Sequence, residues 1–127
     1  MESLRQKVGK RGEDEACARL RDLGHLILAR NWRSGHLEID IVSLTPGGLH
    51  FVEVKSLTAP ALTNPEDKVD RTKQEKLARA ARAFLRSDYR KALPGDYEIF
   101  FDVVTVVFYN DGAETEYFPQ AFLPIYV

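Results

Sequence analysis

The run from Gly35 to Lys55, G-H-L-E-I-D-I-V-S-L-T-P-G-G-L-H-F-V-E-V-K, leaves few ways to fold. Thr45-Pro46-Gly47-Gly48 has turn chemistry, because proline presets one backbone angle and glycine accepts the others a tight turn needs. Residues two apart on a strand share a face, which groups Glu38, Asp40, Val42 and Leu44, and likewise Leu49, Phe51, Glu53 and Lys55. A hairpin centred on the Pro46–Gly47 bond sets Leu44 against Leu49 and Val42 against Phe51. Farther from the turn it sets Asp40 against Glu53 and Glu38 against Lys55. The paired face is apolar near the turn and charged away from it, the pattern of a sheet that opens into a cleft.

Like charges directly opposed on a sheet destabilise it unless something positive lies between them, and their Cβ atoms are only about 4.5–5.5 Å apart. Two carboxylates at that spacing can reach one hard divalent cation. A register slipped by two would instead make Asp40–Lys55 an ion pair and leave Glu53 beside Val42. Both readings fit the hairpin.

The rest of the chain bounds what surrounds it. At 127 residues it is expected to form one domain, residues 1–127, around a single core. Cys17, the one cysteine, has no partner for an intrachain disulfide and fits a reducing compartment. No apolar run reaches the roughly 18 residues of a membrane span, and the first residues lack a signal-peptide core, so a cytoplasmic location is expected. The net charge of −1 conceals an uneven distribution. Residues 1–34 carry 8 basic and 5 acidic side chains, 35–65 carry 1 and 3, 66–91 carry 9 and 5, and 92–127 carry 0 and 6. Two basic segments thus flank the acidic hairpin, an arrangement able to hold a polyanion over a cation centre.

Residues 3–23 read as a helix on the spacing of Leu4, Val8, Ala16, Leu20 and Leu23, with Gly24 as its stop. Gly9 and Gly12 inside it each cost about 1 kcal/mol against alanine and imply close approach of a backbone or ligand. His25–Arg30 reads as a short strand, and Asn31–Gly35 as a loop carrying Trp32, an anchor or a stacking surface. His25, His36 and His50 have no ligand spacing and are expected to be non-catalytic. Ser56–Asn64 reads as a loop beside the cleft. A second helix is expected to start with Thr72 as cap and Glu75 as its capping-box partner. Its apolar face is Leu77, Ala80, Ala81, Phe84 and Leu85, and its basic stripe Lys68, Arg71, Arg79, Arg82 and Arg86. Lys73, in the first turn, is set against the helix dipole, which hints at a ligand-facing role. Tyr97–Tyr109 is a long strand covered on both faces, in which Asp102 needs a buried partner such as an arginine or a helix N-terminus. Glu114–Phe118 is an edge strand. The resulting order is α-β-β-β-α-β-β, an α/β sandwich around a mixed sheet.

The ordered set G-E-D-x-A, E-I-D-I-V, F-V-E-V-K, P-E-x-x-V-x-x-x-K and F-D-V-V resembles the small bacterial UPF0102 (YraN) family over about Val8 to Phe122. That family is similar to the PD-(D/E)xK nucleases, in particular the archaeal Holliday-junction resolvases. The resemblance implies a restriction-endonuclease-like α-β-β-β-α-β core and a metal-dependent endonuclease acting on DNA, either branched or otherwise structured. It implies Asp40 and Glu53 as metal ligands with the Val54 carbonyl, Mg²⁺ or Mn²⁺ as cofactor, and Lys55 as the catalytic lysine. Glu13 would reach the metal directly or through water. Glu38 would flank the site, and Lys73 would stand near it. Ile39 replaces the proline of the motif name, and the usual adjacent Gly-Glu is spread over Gly35-His36-Leu37-Glu38.

The chemistry is consistent with these residues. A cation held by Asp40, Glu53 and a carbonyl can activate water and polarise a phosphoryl oxygen, with Lys55 beside it to neutralise developing charge. Arg71, Arg79, Arg82 and Arg86 are the expected phosphate contacts. Relatives of the resolvase type act as dimers, and the apolar tail Ala121–Val127 is a candidate surface for a homodimer. A non-catalytic nucleic-acid-binding or adaptor protein on the same scaffold is the alternative. A two-carboxylate glycosidase would leave Lys55 and the basic helix without a role.

Overall fold

The computed structural model describes residues 3–59 and 70–122. Lys68, most of the expected Ser56–Asn64 loop and residues 123–127 of the candidate dimer surface lie outside the described residues. Helix α1 spans Leu4–Asp22. Ser3 caps it, accepting from the Gln6 N–H while Gln6 accepts from the Ser3 N–H, a capping box that satisfies two orphan donors. Leu23 ends it, and Gly24 follows at φ +93°, a backbone angle that favours glycine.

Strand β1 runs over Leu26–Ser34, so the segment expected as a loop from Asn31 is strand. The polar, aromatic N-W-R-S sequence conceals a ladder with β2 (Leu37–Thr45), in which Arg30 pairs with Ile41 and Trp32 with Ile39. Strand β3 (Gly48–Thr58) returns from the Pro46–Gly47 turn with Leu44 opposite Leu49 and Val42 opposite Phe51. That register excludes the slipped Asp40–Lys55 alternative, and β3 also absorbs the start of the expected loop. The crossover brings helix α2 (Arg71–Leu85) and the short α3 (Asp88–Lys91) before β4 (Ile99–Tyr109), which pairs parallel to β3. Strand β5 (Gly112–Phe118) closes the sheet antiparallel to β4, giving the order β1-β2-β3-β4-β5.

Asp70, not Thr72, caps α2, its carboxylate accepting from the Lys73 N–H at 2.9 Å. Thr72 and Glu75 therefore lie inside the first turns, where Glu75 pairs with Arg71.

Each helix covers one face of the sheet. Ala16, Cys17 and Leu20 of α1 pack with Ile41, Val52, Val104 and Val106. Leu77, Ala80, Ala81 and Phe84 of α2 pack with Val42, Leu49, Phe51 and Phe101. Trp32 sets its ring edge-on to Phe84, centroids 5.2 Å apart, and is a core anchor. Leu23, expected on the apolar face of α1, is exposed. The result is a mixed sheet flanked by helices, the restriction-endonuclease-like core the resemblance implies. Among the described residues no helix is long and apolar enough to cross a membrane.

Candidate active site

The β2–β3 ladder ends at Ile41 opposite Val52. One residue farther, the Asp40 carboxylate accepts from the Val54 N–H at 2.9 Å, so a side chain stands where a main-chain acceptor would continue the sheet. The strands part there, and a cleft of about 580 Å³ opens, lined by Glu13 of α1, Asp40, Val54, Lys55 and Lys73 of α2 among others. An adjoining cleft shares Asp40 and Lys73 and adds Glu38, Glu53, Lys76 and Arg79. Residues as far apart in the chain as Val8 and Lys73 thus meet at one end of the sheet.

The electrostatics of the pair follow from this placement. Burial pushes Asp40 up to about 8, reinforced by the charge of Glu53 and opposed by the Val54 N–H. Burial also raises Glu53, against the pull of Lys73, of a hydrogen bond with Asp40 and of Lys55. Two carboxyl groups within hydrogen-bonding reach share a proton when nothing positive lies between them. Lys73, which a first-turn position disfavours, is half-buried and is the strongest cationic influence on Glu53.

Glu13 reaches the cleft from α1 with its side chain 16% exposed, and Asn31 Nδ2 donates to its Oε1 at 2.8 Å. Gly12 beside it has a packing reason, since a Cβ there would lie 1.8 Å from Ser56 Oγ, so α1 rests directly on β3 next to Lys55. Gly9 would meet nothing within 4 Å and lines the cleft itself. Glu38 lies 3.5 Å from Arg33 and lines the adjoining cleft.

The expected basic stripe divides. Arg79 lines the cleft, whereas Arg71 is 75% exposed beside Glu75, and Arg82 and Arg86 lie farther along α2. Lys76 joins Lys73 and Arg79 in the lining. Its signal was available, because residues three apart share a helix flank. Asn31 and Arg30 were also missed, having been read as loop and strand end.

His36 lines the adjoining cleft beside Glu38, whereas His25 and His50 stand apart from it. His50 Nδ1 meets Asp102 Oδ2 at 2.6 Å and His25 Nδ1 meets Ser43 Oγ at 2.8 Å. Asp102 therefore has a histidine, Tyr117 and the Gln120 N–H as partners rather than an arginine or a helix terminus.

Among the described residues no three carboxylate, imidazole or thiolate groups gather closely enough to enclose a cation. The donor set still fits a hard ion. Asp40 and Glu53 present two facing carboxylates that could serve as oxygen ligands, and Mg²⁺ keeps several waters rather than filling its shell with protein.

The family model described as "Uncharacterised protein family UPF0102" matches residues 12–106, which include all the cleft residues from Gly12 to Arg79. A UPF0102 protein of Nitratidesulfovibrio vulgaris is 42% identical over 96% of this chain and 88% of its own length. One from Bacteroides thetaiotaomicron is 38% identical over 93% of each chain, and one from Desulforamulus reducens 37% identical over 91% and 93%. With the family model covering most of the chain and relatives at this identity over nearly their full length, the chain belongs to the UPF0102 family.

Proposed function

We propose that this protein is a metal-dependent endonuclease that hydrolyses phosphodiester bonds in DNA, acting on branched or otherwise structured duplex. The observation that carries this reading is the facing pair Asp40 and Glu53 at the point where β2 and β3 part, with Lys55 and Lys73 in the same cleft. A fold that withdraws two carboxylates from water against each other keeps a cost that a cation offsets.

In this reading Asp40, Glu53 and the Val54 carbonyl would hold Mg²⁺ or Mn²⁺, and Glu13 would reach it directly or through water. The ion would supply Lewis acidity, lowering the pKa of water and drawing charge from the phosphoryl oxygens. Lys55 stands beside the phosphate and neutralises the charge that grows on its non-bridging oxygens. Lys73 favours the ionised form of Glu53 against its burial, as its influence on that carboxyl supports. Lys76 and Arg79 extend the positive lining one and two turns along α2, at a spacing suited to successive phosphates. Arg71, Arg82 and Arg86 would meet the duplex only where it wraps the outer side of the helix.

The test is cleavage of linear, flapped and four-way DNA with Mg²⁺ or Mn²⁺. The parent should cut at least one substrate, and Asp40→Asn and Lys55→Ala should each lose on the order of 10²-fold or more in rate. Salt-sensitive DNA binding with no cleavage under either metal would replace this reading with the non-catalytic binding protein.

A further inference from the structure

Asn31 has no part in the chemistry above, yet its backbone is the unusual one near it. It sits in β1 at φ +51°, one of two non-glycine residues among those described with positive φ. Side-chain sterics disfavour that angle, and asparagine tolerates it better than most residues. Its neighbours Arg30 and Trp32 pair with Ile41 and Ile39, which sets Asn31 level with Asp40 across the β1–β2 ladder. From there Nδ2 crosses to α1 and donates to Glu13 Oε1 at 2.8 Å. Arg30 Nη2 lies 3.8 Å from the same oxygen and 2.7 Å from Asp14 Oδ1. Asn31 and Arg30 thus converge on one oxygen of Glu13, whose side chain lines the cleft that contains Asp40 and Lys55.

We propose that Asn31 is a positioning residue for the acidic site, its left-handed backbone aiming the carboxamide so that the Glu13 carboxylate is held at the cleft wall. This rests on the metal-dependent reading above. The device is economical in geometry: one strand residue, level with the first carboxylate, orients the carboxylate delivered by the helix. An amide suits the task because it donates to Glu13 without bringing a full charge beside Asp40. Arg30, tied to Asp14, lends long-range attraction to the same oxygen without closing on it.

A simple stitch between α1 and β1 would show the same hydrogen bond, so the test has to separate holding the fold from holding Glu13. Asn31→Gly keeps a residue at ease with positive φ and removes only the carboxamide. Asn31→Asp keeps the shape and turns an attraction into a repulsion. Thermal melts in EDTA and calorimetric titration with Mn²⁺ read the two roles independently. Asn31→Gly should melt in EDTA no lower than the parent while its Mn²⁺ affinity falls about fivefold or more, the range in which outer-shell partners act. Asn31→Asp should lose more affinity than Asn31→Gly. Glu13→Gln should lose a similar amount, and adding Asn31→Gly to it should change little further, since the two act as one unit.

A lower melting temperature for Asn31→Gly with unchanged Mn²⁺ affinity would make Asn31 a structural stitch and overturn the proposal. Additive losses in the double variant would overturn it too. Should Asp40→Asn abolish Mn²⁺ binding while Glu13→Gln leaves it intact, the metal site stands and this inference alone falls. A parent that binds no Mn²⁺ would overturn the metal reading and this inference with it.

Discussion

Asp40 on β2 and Asp102 on β4 are both withdrawn from water, and they differ in what meets them. Asp102 is 0% exposed, yet its pKa is held down. Burial alone would raise it, but His50 and Tyr117 at 2.6 Å and the Gln120 N–H at 2.9 Å outweigh that. Asp40 has one such donor, the Val54 N–H, while a second carboxylate faces it, and burial with that charge raises it to about 8. Satisfaction, more than depth, decides whether a buried acid is at ease. Both non-glycine residues at positive φ serve these two networks, Gln120 by donating its N–H to Asp102 and Asn31 by holding Glu13. Among the described residues no buried side-chain polar atom lacks a partner, so what sets the Asp40 pair apart is burial with few donors, reinforced by the facing charge.

The sharpest way to break this comparison is to remove Asp102. Asp102→Ala strands the donors of His50, Tyr117 and Gln120 in the interior and should cost about 3 kcal/mol or more, read as a lower urea midpoint. A loss under about 1 kcal/mol would mean the network does little for the fold.

Asp40→Asn should go the other way. The amide oxygen can still accept from Val54, and the repulsion with Glu53 disappears, so stability in EDTA near pH 8 should be unchanged or rise by roughly 1 kcal/mol. The variant should also lose most of the parent's stabilisation by Mg²⁺ or Mn²⁺. The pH dependence follows from the direction of the shift. A carboxyl raised from an ordinary 3.8 to about 8 favours the folded state most fully below pH 4, and that contribution is lost as pH rises to about 8. Metal-free parent should therefore destabilise across that range, with Asp40→Asn flattening the slope. Asp102, held low, contributes the opposite sign, stabilising above its ordinary pKa and losing that contribution on acidification. Melts in EDTA from pH 8 down to about pH 2 can check both, and an unchanged slope in Asp40→Asn would remove the repulsion.

The smallest effects lie in α1, where packed and open surroundings recur two glycines apart. Gly12→Ala drives a methyl into Ser56, with Oγ at 1.8 Å and Cβ at 3.0 Å, and should lower the melting temperature. Gly9→Ala meets nothing and should stabilise by about 0.5–1 kcal/mol through helix propensity. Equal responses would show that both positions are governed by propensity alone.

The central hairpin was legible because its determinants are local. A proline–glycine turn and a two-residue period fix which residues share a face and leave two registers, of which the structure has the one with Val42 opposite Phe51 and Asp40 approaching Glu53. Helix α1 was equally legible from its apolar spacing and Gly24. The cap of α2 was read two residues late, because Thr72–Glu75 and Asp70 both carry cap chemistry and only the path of the preceding chain chooses between them.

By itself the sequence determined the α/β order, the central hairpin and the family, and it narrowed the hairpin to two registers between which the structure chose. Tertiary structure alone decided that His50 and Tyr117 satisfy Asp102, because the parallel β3–β4 pairing follows a long crossover whose landing point no local pattern encodes. It likewise decided that Lys76 and Arg79 line the cleft while Arg71 faces water, which depends on how α2 is rotated over the sheet. Asn31 shows the same division: residue type permits a left-handed backbone, but only α1 packing beside β1 supplies the carboxylate for it to hold.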